Sequence, residues 1–266
     1  MKLFLFFACF LFVAGVSSEE VISRDWISRN CNNPERLSPK CFQVFGKNDS
    51  VTTSFESVWT PGSLYPWPTT TFTAVLSSSD AADVGQSIVI EGLDENLDMA
   101  SATATLNGQT TVVVDGIWWR VYRVYNDSDD QNSFAGTVII AQDGITTWSA
   151  GIPLVTTSVV ATAISTSQQS LMSVFTTARN QYAYLYDARV TSDNSQGSEC
   201  WLFVRKWGKT FRAISDTYIT QDEGLIVDSY RIPRVIGPET DIDVRCKAIG
   251  GNSRISVTYG LYTELR

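Results

Sequence analysis

The chain has 266 residues, of which 44% are hydrophobic and 18% charged, so it can build a globular core and is not of the disordered class. Its formal net charge of −8 argues against a nucleic-acid-binding protein, which needs clustered Lys and Arg to neutralise phosphates. The sequence contains no histidine, which excludes Ser-His-Asp catalysis, Cys-His catalysis and histidine-containing metal sites.

Residues 1–18 have the pattern of a secretory signal peptide. Lys2 precedes an apolar run over residues 3–16, small residues follow it, and cleavage is predicted before Glu19. The run is shorter than the about 20 apolar residues of a spanning helix, so a retained membrane anchor is the weaker alternative. We expect contact with a membrane through this segment alone.

Residues 19–54 form a predicted N-terminal segment that holds two cysteines. Cys31 and Cys41 bracket a polar stretch with two prolines, and a disulfide between them would staple a loop with little core of its own. Asn48 begins one Asn-Asp-Ser sequon and Asn126 begins another, so both are glycosylation candidates on a short and weak motif. These features indicate an oxidising, secretory route.

Two consecutive β-sandwich domains of jelly-roll-like type are predicted at residues 55–153 and 154–266. Short runs rich in Val, Ile, Thr and aromatic residues continue to the end of the chain between turn residues, with no amphipathic helix among them. The join, residues 152–170, is rich in Ser and Thr and is predicted to be a strand-bearing linker. The runs are QSIVIEG, SATATL, TTVVVD, IWWRVYRVY, GTVIIA, LMSVFTT, QYAYLYDARV, CWLFVRKW, LIVDSYRI, DIDVRCKA and RISVTYGLYTEL.

The segment TPGSLYPWPTTT, residues 60–71, holds three prolines and two aromatic residues. This proline content excludes a central strand and favours an extended, polyproline-like arm. Tyr65 and Trp67 are then candidates for contact with a neighbouring subunit or a glycan. The alternative is a loop folded back on its own domain.

An Asp-x-Asn-x-Asp motif begins at Asp94, with the spacing of the first ligands of an EF-hand calcium loop. Met99 stands where that loop needs Gly, and Thr105 stands where it needs Glu, so we predict scaffold and no metal site. An alternating strand then leads to Asn107 and Gly108, which predict a tight turn with positive φ at both residues.

The run IWWRVYRVY, residues 117–125, carries large apolar or aromatic groups on both faces. A half-exposed strand would show a polar face, so this strand is predicted to be covered on both sides or to form an interface. Aromatic residues and Arg dominate protein–protein hot spots. Trp118, Arg120 and Tyr122 are therefore candidates for an intersubunit or glycan-facing surface, with an ordinary sandwich core as the alternative.

The remaining two cysteines lie in strand-like runs. Cys200 shares a face with Leu202, and Cys246 shares one with Val244, so both sulfur atoms are predicted to point into an apolar interior. A disulfide between Cys200 and Cys246 is favoured in a secreted chain, and two buried free thiols are the alternative. The cysteine spacings do not match a zinc site.

Four sequence elements, in order, resemble a family of virion structural proteins from marine tailed phages and large algal viruses. The resemblance covers residues 42–266, and it implies an all-β architecture and a place on the virus particle, not a catalytic site. The signal and the Cys31–Cys41 segment are not part of the phage pattern and suggest a virus of a eukaryotic host. The elements are VFGKNDSVTTSFESVWTPGSLYPWPT (44–69), SSSDAADVGQSIVIEGLDENLDMASATATLNGQTTVV (77–113), LFVRKWGKTFR (202–212) and VIGPETDIDVRC (235–246).

These observations predict a non-enzymatic component of a virus particle, such as a minor capsid, decoration or fibre-base protein. Its expected partners are the major capsid protein and copies of itself, and it would enter the secretory pathway or endoplasmic reticulum membrane through its signal. A secreted or virion-surface module that binds cell-surface glycans for host attachment is the alternative. No catalytic residue, metal or cofactor is predicted, because no carboxylate pair is singled out by its spacing and no phosphate loop is present.

Overall fold

The structure, a computed structural model, describes residue 31 and residues 40–129, 132–194, 196–219 and 224–265, with Lys40 and Arg231 described by their backbone alone. The predicted signal at residues 1–18 lies outside the described residues. The all-β prediction is confirmed, because the described part of the chain consists of strands, turns and one three-residue 3₁₀ helix at Thr156–Ser158. No helix among the described residues is long and apolar enough to cross a membrane.

The strands are numbered here in chain order. They are β1 (Lys40–Val51), β2 (Glu56–Ser57), β3 (Phe72–Ser78), β4 (Val84–Asp94), β5 (Met99–Asn107), β6 (Val112–Asn126), β7 (Thr137–Gln142), β8 (Trp148–Ser149), β9 (Ile152–Pro153), β10 (Val159–Ile164), β11 (Gln169–Ser170), β12 (Val174–Thr176), β13 (Gln181–Ser192), β14 (Ser198–Lys206), β15 (Arg212–Ile219), β16 (Leu225–Ile236), β17 (Thr240–Ala248) and β18 (Ser253–Leu265).

Seven strands form one antiparallel sheet in the order β11-β10-β7-β3-β6-β4-β5. β11 pairs with β10 and also with β6, where Gln169 stands opposite Tyr125, so the sheet curls and closes on itself. The continuous apolar run of β7 is buried along nearly its whole length, as expected of a strand covered on both faces. The side chains inside this sheet form the first core, which includes Leu76, Ile88, Ile90, Trp118, Val124, Phe134 and Ile140.

β8 and β9 pair with each other as a separate two-stranded sheet, and the other described strands form a β-sandwich. The sheet β1-β18-β13-β16 faces the sheet β12-β17-β14-β15, and β2 pairs with β17 at its edge. Burial alternates along β14, where Cys200, Leu202 and Val204 are buried and the residues between them are not. The inner faces enclose the second core, which includes Leu185, Val190, Cys200, Val244, Cys246, Val257, Tyr259 and Leu261.

Strand pairing joins distant parts of the chain. β1, from the predicted segment 19–54, pairs with the C-terminal strand β18. β10 follows the predicted domain boundary at residues 153 and 154, yet it pairs with β7 of the seven-stranded sheet. By pairing, residues 40–57 belong with the sandwich and residues 159–170 with the seven-stranded sheet.

The sequence predicted a scaffold loop before β5, at Asp94, and a tight turn after β5, at Asn107 and Gly108. The carboxylate of Asp94 is used by its own loop, because Oδ1 accepts the backbone N–H groups of Asn96 at 2.8 Å and Asp98 at 2.9 Å. At the other end Gly108 has φ +59°, but Asn107 ends β5 without a positive φ, so the prediction of positive φ at both residues is wrong. The strand simply runs one residue further, and Gly108 becomes the first central residue of the turn.

The pairing of β4 with β6 has a break in register opposite the middle of β6. The pairing shifts between Glu91 and Gly92, and a Cβ atom at Gly92 would overlap the backbone carbonyl of Arg120. Only glycine lets the two backbones approach this closely. β6 also lies between the two cores, because Trp118 packs in the first and Tyr122 in the second.

Candidate functional site

The proline-rich segment 60–71 folds back on its own chain, which corrects the prediction of an arm. Tyr65 and Trp67 are 3% and 6% exposed. The Tyr65 ring stands edge-on to Trp59 at 5.0 Å and to Trp67 at 4.9 Å between ring centres. The Tyr65 hydroxyl donates to the carbonyl oxygen of Val121 at 3.3 Å. Neither Tyr65 nor Trp67 therefore presents a surface to a subunit or a glycan.

The three candidates on β6 are also buried, which corrects their prediction as a contact surface. Trp118 and Arg120 are 2% and 3% exposed, and Tyr122 is 8% exposed with its ring 4.9 Å from that of Phe175. The sequence allowed two explanations for a strand with two apolar faces. The structure selects the first, since the chain itself covers both faces.

Arg120 is the centre of a buried ionic cluster at the junction of the two cores. Its Nε donates to Oδ1 of Asp241 at 3.1 Å, its Nη2 donates to Oδ2 at 3.2 Å, and its Nη1 donates to the carbonyl oxygen of Pro68 at 2.7 Å. Asp241 is 1% exposed and also accepts from Nε of Arg205 at 2.9 Å and from Oγ1 of Thr176 at 2.7 Å. Both oxygens of the Asp241 carboxylate thus accept hydrogen bonds, from donors on three strands, β6, β12 and β14.

Aromatic rings alternate with the guanidinium groups of this cluster. Contacts of this kind contribute about 0.5–2 kcal/mol each, more when desolvated. The series begins on Trp207 and ends on Phe203, so it extends the ionic cluster across one face of β14 and β17. From the guanidinium carbon to the ring centre the distances are Arg120–Trp207 4.9 Å, Arg120–Trp67 5.3 Å, Arg205–Trp67 5.3 Å, Arg205–Phe211 4.4 Å, Arg245–Phe211 4.4 Å and Arg245–Phe203 4.8 Å.

Asp243 is the second buried acid of the cluster, with no solvent exposure. Its Oδ2 accepts from Nε of Arg245 at 2.7 Å, from the Ser57 hydroxyl at 3.1 Å and from the Trp67 indole at 3.2 Å. Its Oδ1 has no hydrogen-bond partner in the described structure. Burial raises the pKa of Asp243, and the attraction and hydrogen bond of Arg245 offset this only in part.

The raised pKa of Asp243 predicts a pH dependence of stability. The folded chain holds this proton more tightly than the unfolded chain, so the contribution is present below the unfolded pKa of about 3.9 and is lost as the pH rises through the raised folded pKa. We expect the free energy of unfolding of the wild type to fall relative to that of Asp243→Asn as the pH rises from about 4 to 7. Urea unfolding at several pH values measures this difference, and a difference independent of pH would contradict it.

The cluster is arranged to hold the chain together and not to react. Each of the two acids contacts at least one guanidinium, and both are closed off from solvent at 1% and 0% exposure, so neither is within reach of a substrate. No group of three or more Cys, Asp or Glu side chains is placed to hold a metal ion in the described ranges. The cluster therefore joins β6 of the seven-stranded sheet to β14 and β17 of the sandwich.

β16 is an edge of the four-stranded sheet and presents apolar side chains to solvent. Among the described strands it pairs with β13 alone. Leu225, Val227, Ile232 and Val235 are each half exposed or more, and we call these four residues the β16 edge. Proteins usually protect a long, apolar edge strand, because its free backbone groups and side chains recruit another chain.

The cysteines are paired as the sequence favoured, Cys31 with Cys41 and Cys200 with Cys246. Cys200 stands directly opposite Cys246 in the β14–β17 pair, with 4.1 Å between Cα atoms. The sequon at Asn48 is not available, because this residue is 3% exposed and its Nδ2 donates to Glu56 at 3.1 Å.

At the second sequon, Nδ2 of Asn126 also has partners. It donates to the carbonyl oxygen of Asn132 at 3.0 Å and to Oε1 of Gln168 at 2.8 Å. A glycan on this nitrogen would replace these contacts, so Asn126 stays a prediction that the fold does not favour.

Comparisons with known proteins give no family for this chain. No family model and no curated protein matches it. Among solved structures, the Gt strain of infectious bursal disease virus has a TM-score of 0.24 and 10% identity, covering 88% of this chain and 74% of that one. The VP2 subviral particle of infectious bursal disease virus has a TM-score of 0.21 and 12% identity, covering 86% and 72%. Likeness at this level defines neither a family nor a function.

Proposed function

We propose that this chain is a non-enzymatic structural component of a virus particle, as a minor capsid, decoration or fibre-base protein. Its partners in this proposal are the major capsid protein and copies of itself. The four ordered sequence elements that resemble virion structural proteins of marine tailed phages and large algal viruses support a place on the particle. The signal-like residues 1–18 support entry through the secretory pathway or endoplasmic reticulum membrane.

The observation that carries the proposal is the β16 edge. The strand spans Leu225–Ile236, and its exposed apolar side chains lie on an edge that pairs with β13 alone among the described strands. Burying such an edge against another chain completes its hydrogen bonds and removes apolar surface from water. In a particle, many copies of one weak contact add up to stable attachment through multivalency.

Two further features support a mechanical role. Two disulfides and the buried ionic cluster brace the chain internally. The carboxylates of that cluster are held by guanidinium groups, which argues for rigidity and against hydrolysis. A rigid unit keeps the β16 edge in one orientation, and preorganisation of this kind lowers the entropic cost of association.

The direct test is mass spectrometry of density-purified virus particles, run without reduction. We expect peptides of this chain at stoichiometric abundance, with Cys31–Cys41 and Cys200–Cys246 linked. The same run reads the mature N-terminus and so tests cleavage before Glu19. Absence from particles, with the protein free in the medium, would overturn the structural role.

The double substitution Ile232→Lys/Val235→Lys tests the surface itself. Lysines on an edge strand block edge pairing at little cost to folding, because both positions face solvent. We expect sedimentation of the purified protein to show self-association weakened by roughly tenfold or more. The matched control is Val84→Lys/Val113→Lys, two exposed valines of the seven-stranded sheet, which should associate as the wild type does. Equal association of both variants would contradict the assignment of this edge.

A second candidate function is a carbohydrate-binding attachment module on the virion surface. The aromatic residues that the sequence predicted for glycan contact are buried, so they cannot form the binding site of such a module. A cleft elsewhere in the molecule favours this function independently.

A further inference from the structure

A cleft lies between the sandwich and the seven-stranded sheet. Its walls come from β1 on one side and from β4, β6 and β11 on the other. Its volume is about 530 Å³, within the range of about 300–1,000 Å³ typical of small-molecule sites. Its lining includes Phe45, Gln43, Glu91, Tyr122, Arg123 and Gln169.

Tyr122 brings an unpaired polar group to this cleft. It is 8% exposed, and its hydroxyl makes no hydrogen bond in the described part of the chain. Buried tyrosine hydroxyls normally find a partner. Tyr65 and Tyr259 follow this rule, since their hydroxyls donate to the carbonyl oxygens of Val121 and Ser173. The Tyr122 hydroxyl is not among the buried polar atoms without a partner, so it reaches the solvent of the cleft and is open to a ligand there.

One acidic and one basic side chain, Glu91 and Arg123, line the same cleft as Tyr122. Burial raises the pKa of Tyr122, Glu91 raises it further and Arg123 lowers it. Arg123 Nη1 lies 3.7 Å from Glu91 Oε2. The pair leaves the cleft with no net charge, and the chain as a whole carries −8, which disfavours polyanionic ligands.

The rest of the lining offers free amides beside apolar rings. The side-chain amides of Gln43 and Gln169 line the cleft and make no hydrogen bond within the described residues. Phe42 packs against Phe175 at 5.5 Å between ring centres, and Phe45 is 39% exposed at the rim. The lining therefore combines flat apolar faces with several hydrogen-bonding groups and no net charge.

We propose that this cleft binds neutral oligosaccharides. A pyranose ring has an apolar face of C–H groups and a periphery of hydroxyls, which is the same combination. Phe45 would stack on the apolar face, while Tyr122, Gln43 and Gln169 would hydrogen-bond to the hydroxyls. The inference rests on the second candidate function, for which it supplies the site and the ligand class, and it is independent of the structural role because the purified protein would bind whether or not it assembles.

The test is an array of immobilised neutral gluco-, galacto- and manno-configured oligosaccharides, with sulfated and sialylated oligosaccharides alongside, probed with the full purified chain. We expect binding to neutral members, and calorimetry then gives the Kd for one of them. Tyr122→Phe removes the hydroxyl alone and should raise that Kd about tenfold. Phe45→Ala should weaken binding to a similar extent by removing the rim ring.

The matched control is Tyr218→Phe, which removes the hydroxyl of an exposed tyrosine on β15, outside the cleft, and should leave the Kd unchanged. Near-ultraviolet circular dichroism checks that all three variants keep the native packing. The proposal is overturned if no neutral oligosaccharide binds, if only sulfated or sialylated members bind, or if Tyr122→Phe and Phe45→Ala both bind as the wild type does. The array uses the purified chain and no virus particles. A negative result would therefore overturn oligosaccharide binding without bearing on the structural role, which mass spectrometry of particles tests.

Discussion

Substitution of Arg120 by Met is expected to lower the free energy of unfolding by about 3 kcal/mol or more. Met fills much of the same space, so the loss comes from chemistry and not from a cavity. It removes both hydrogen bonds from the guanidinium to the buried carboxylate of Asp241 and the stacking on Trp67 and Trp207. Arg205 keeps its contact with Asp241 and limits the loss.

Urea unfolding followed by tryptophan fluorescence measures this effect, and Arg123→Met is the matched control. Arg123 lies on the same strand, but its side chain is half exposed and its contact with Glu91 is 3.7 Å long. An exposed ion pair contributes about 0–1 kcal/mol, so the control should unfold close to the wild type. Similar stabilities for the two variants would show that the buried cluster does not brace the fold.

The same cluster explains why the two parts of the chain should unfold together. Arg120 belongs to the seven-stranded sheet, whereas Asp241 and Arg205 belong to the sandwich. Opening the junction would leave Asp241 without Arg120 and would expose the aromatic rings stacked there. The free-energy cost of separating these groups opposes unfolding of the seven-stranded sheet without the sandwich, or of the sandwich without the sheet. The cluster therefore holds the two parts in a fixed orientation.

Strand content could be read from the sequence because it depends on local patterns. β4, β5, β7, β14 and β17 coincide with runs of alternating or continuous apolar residues. β1, β3 and β15 were not predicted. β1 is rich in polar residues and β15 is poorly buried, so each depends on pairing with a distant or neighbouring strand more than on its own hydrophobicity.

The prediction of a contact surface on β6 was wrong for a related reason, because burial of this strand also depends on distant parts of the chain. The alternation in β17 predicted that Val244 and Cys246 share an inward face, which leaves the aspartates on the opposite face. The aspartates do point to the opposite face, but that face is the junction with the first core, where Asp241 and Asp243 are buried. The partner of Arg120 lies 121 residues away, so no local pattern could reveal it. The charged residues of β17 alternate with apolar ones, which is also the pattern of a strand with one solvated face, so the sequence held no separate signal for a buried ionic cluster.

Removal of the Cys200–Cys246 disulfide is expected to destabilise the chain by about 4 kcal/mol. The cross-link closes a loop with a sequence separation of 46 residues, and restricting a loop of this length in the unfolded chain contributes about that amount. Both residues lie in the second core and are almost fully buried, so the double substitution Cys200→Ala/Cys246→Ala keeps the site apolar. The midpoint of urea unfolding, compared with that of the wild type, measures the loss.

The Cys31–Cys41 disulfide provides the internal comparison, because its sequence separation is only 10 residues. The loop-closure argument gives about 3 kcal/mol for Cys31→Ala/Cys41→Ala, and the smaller loop predicts the smaller loss. The Cys31–Cys41 bond also lies outside both cores, whereas Cys200 and Cys246 pack within the second. The decisive observation is therefore which of the two double variants loses more free energy of unfolding. A larger loss at Cys31–Cys41 would contradict the loop-closure argument for this chain.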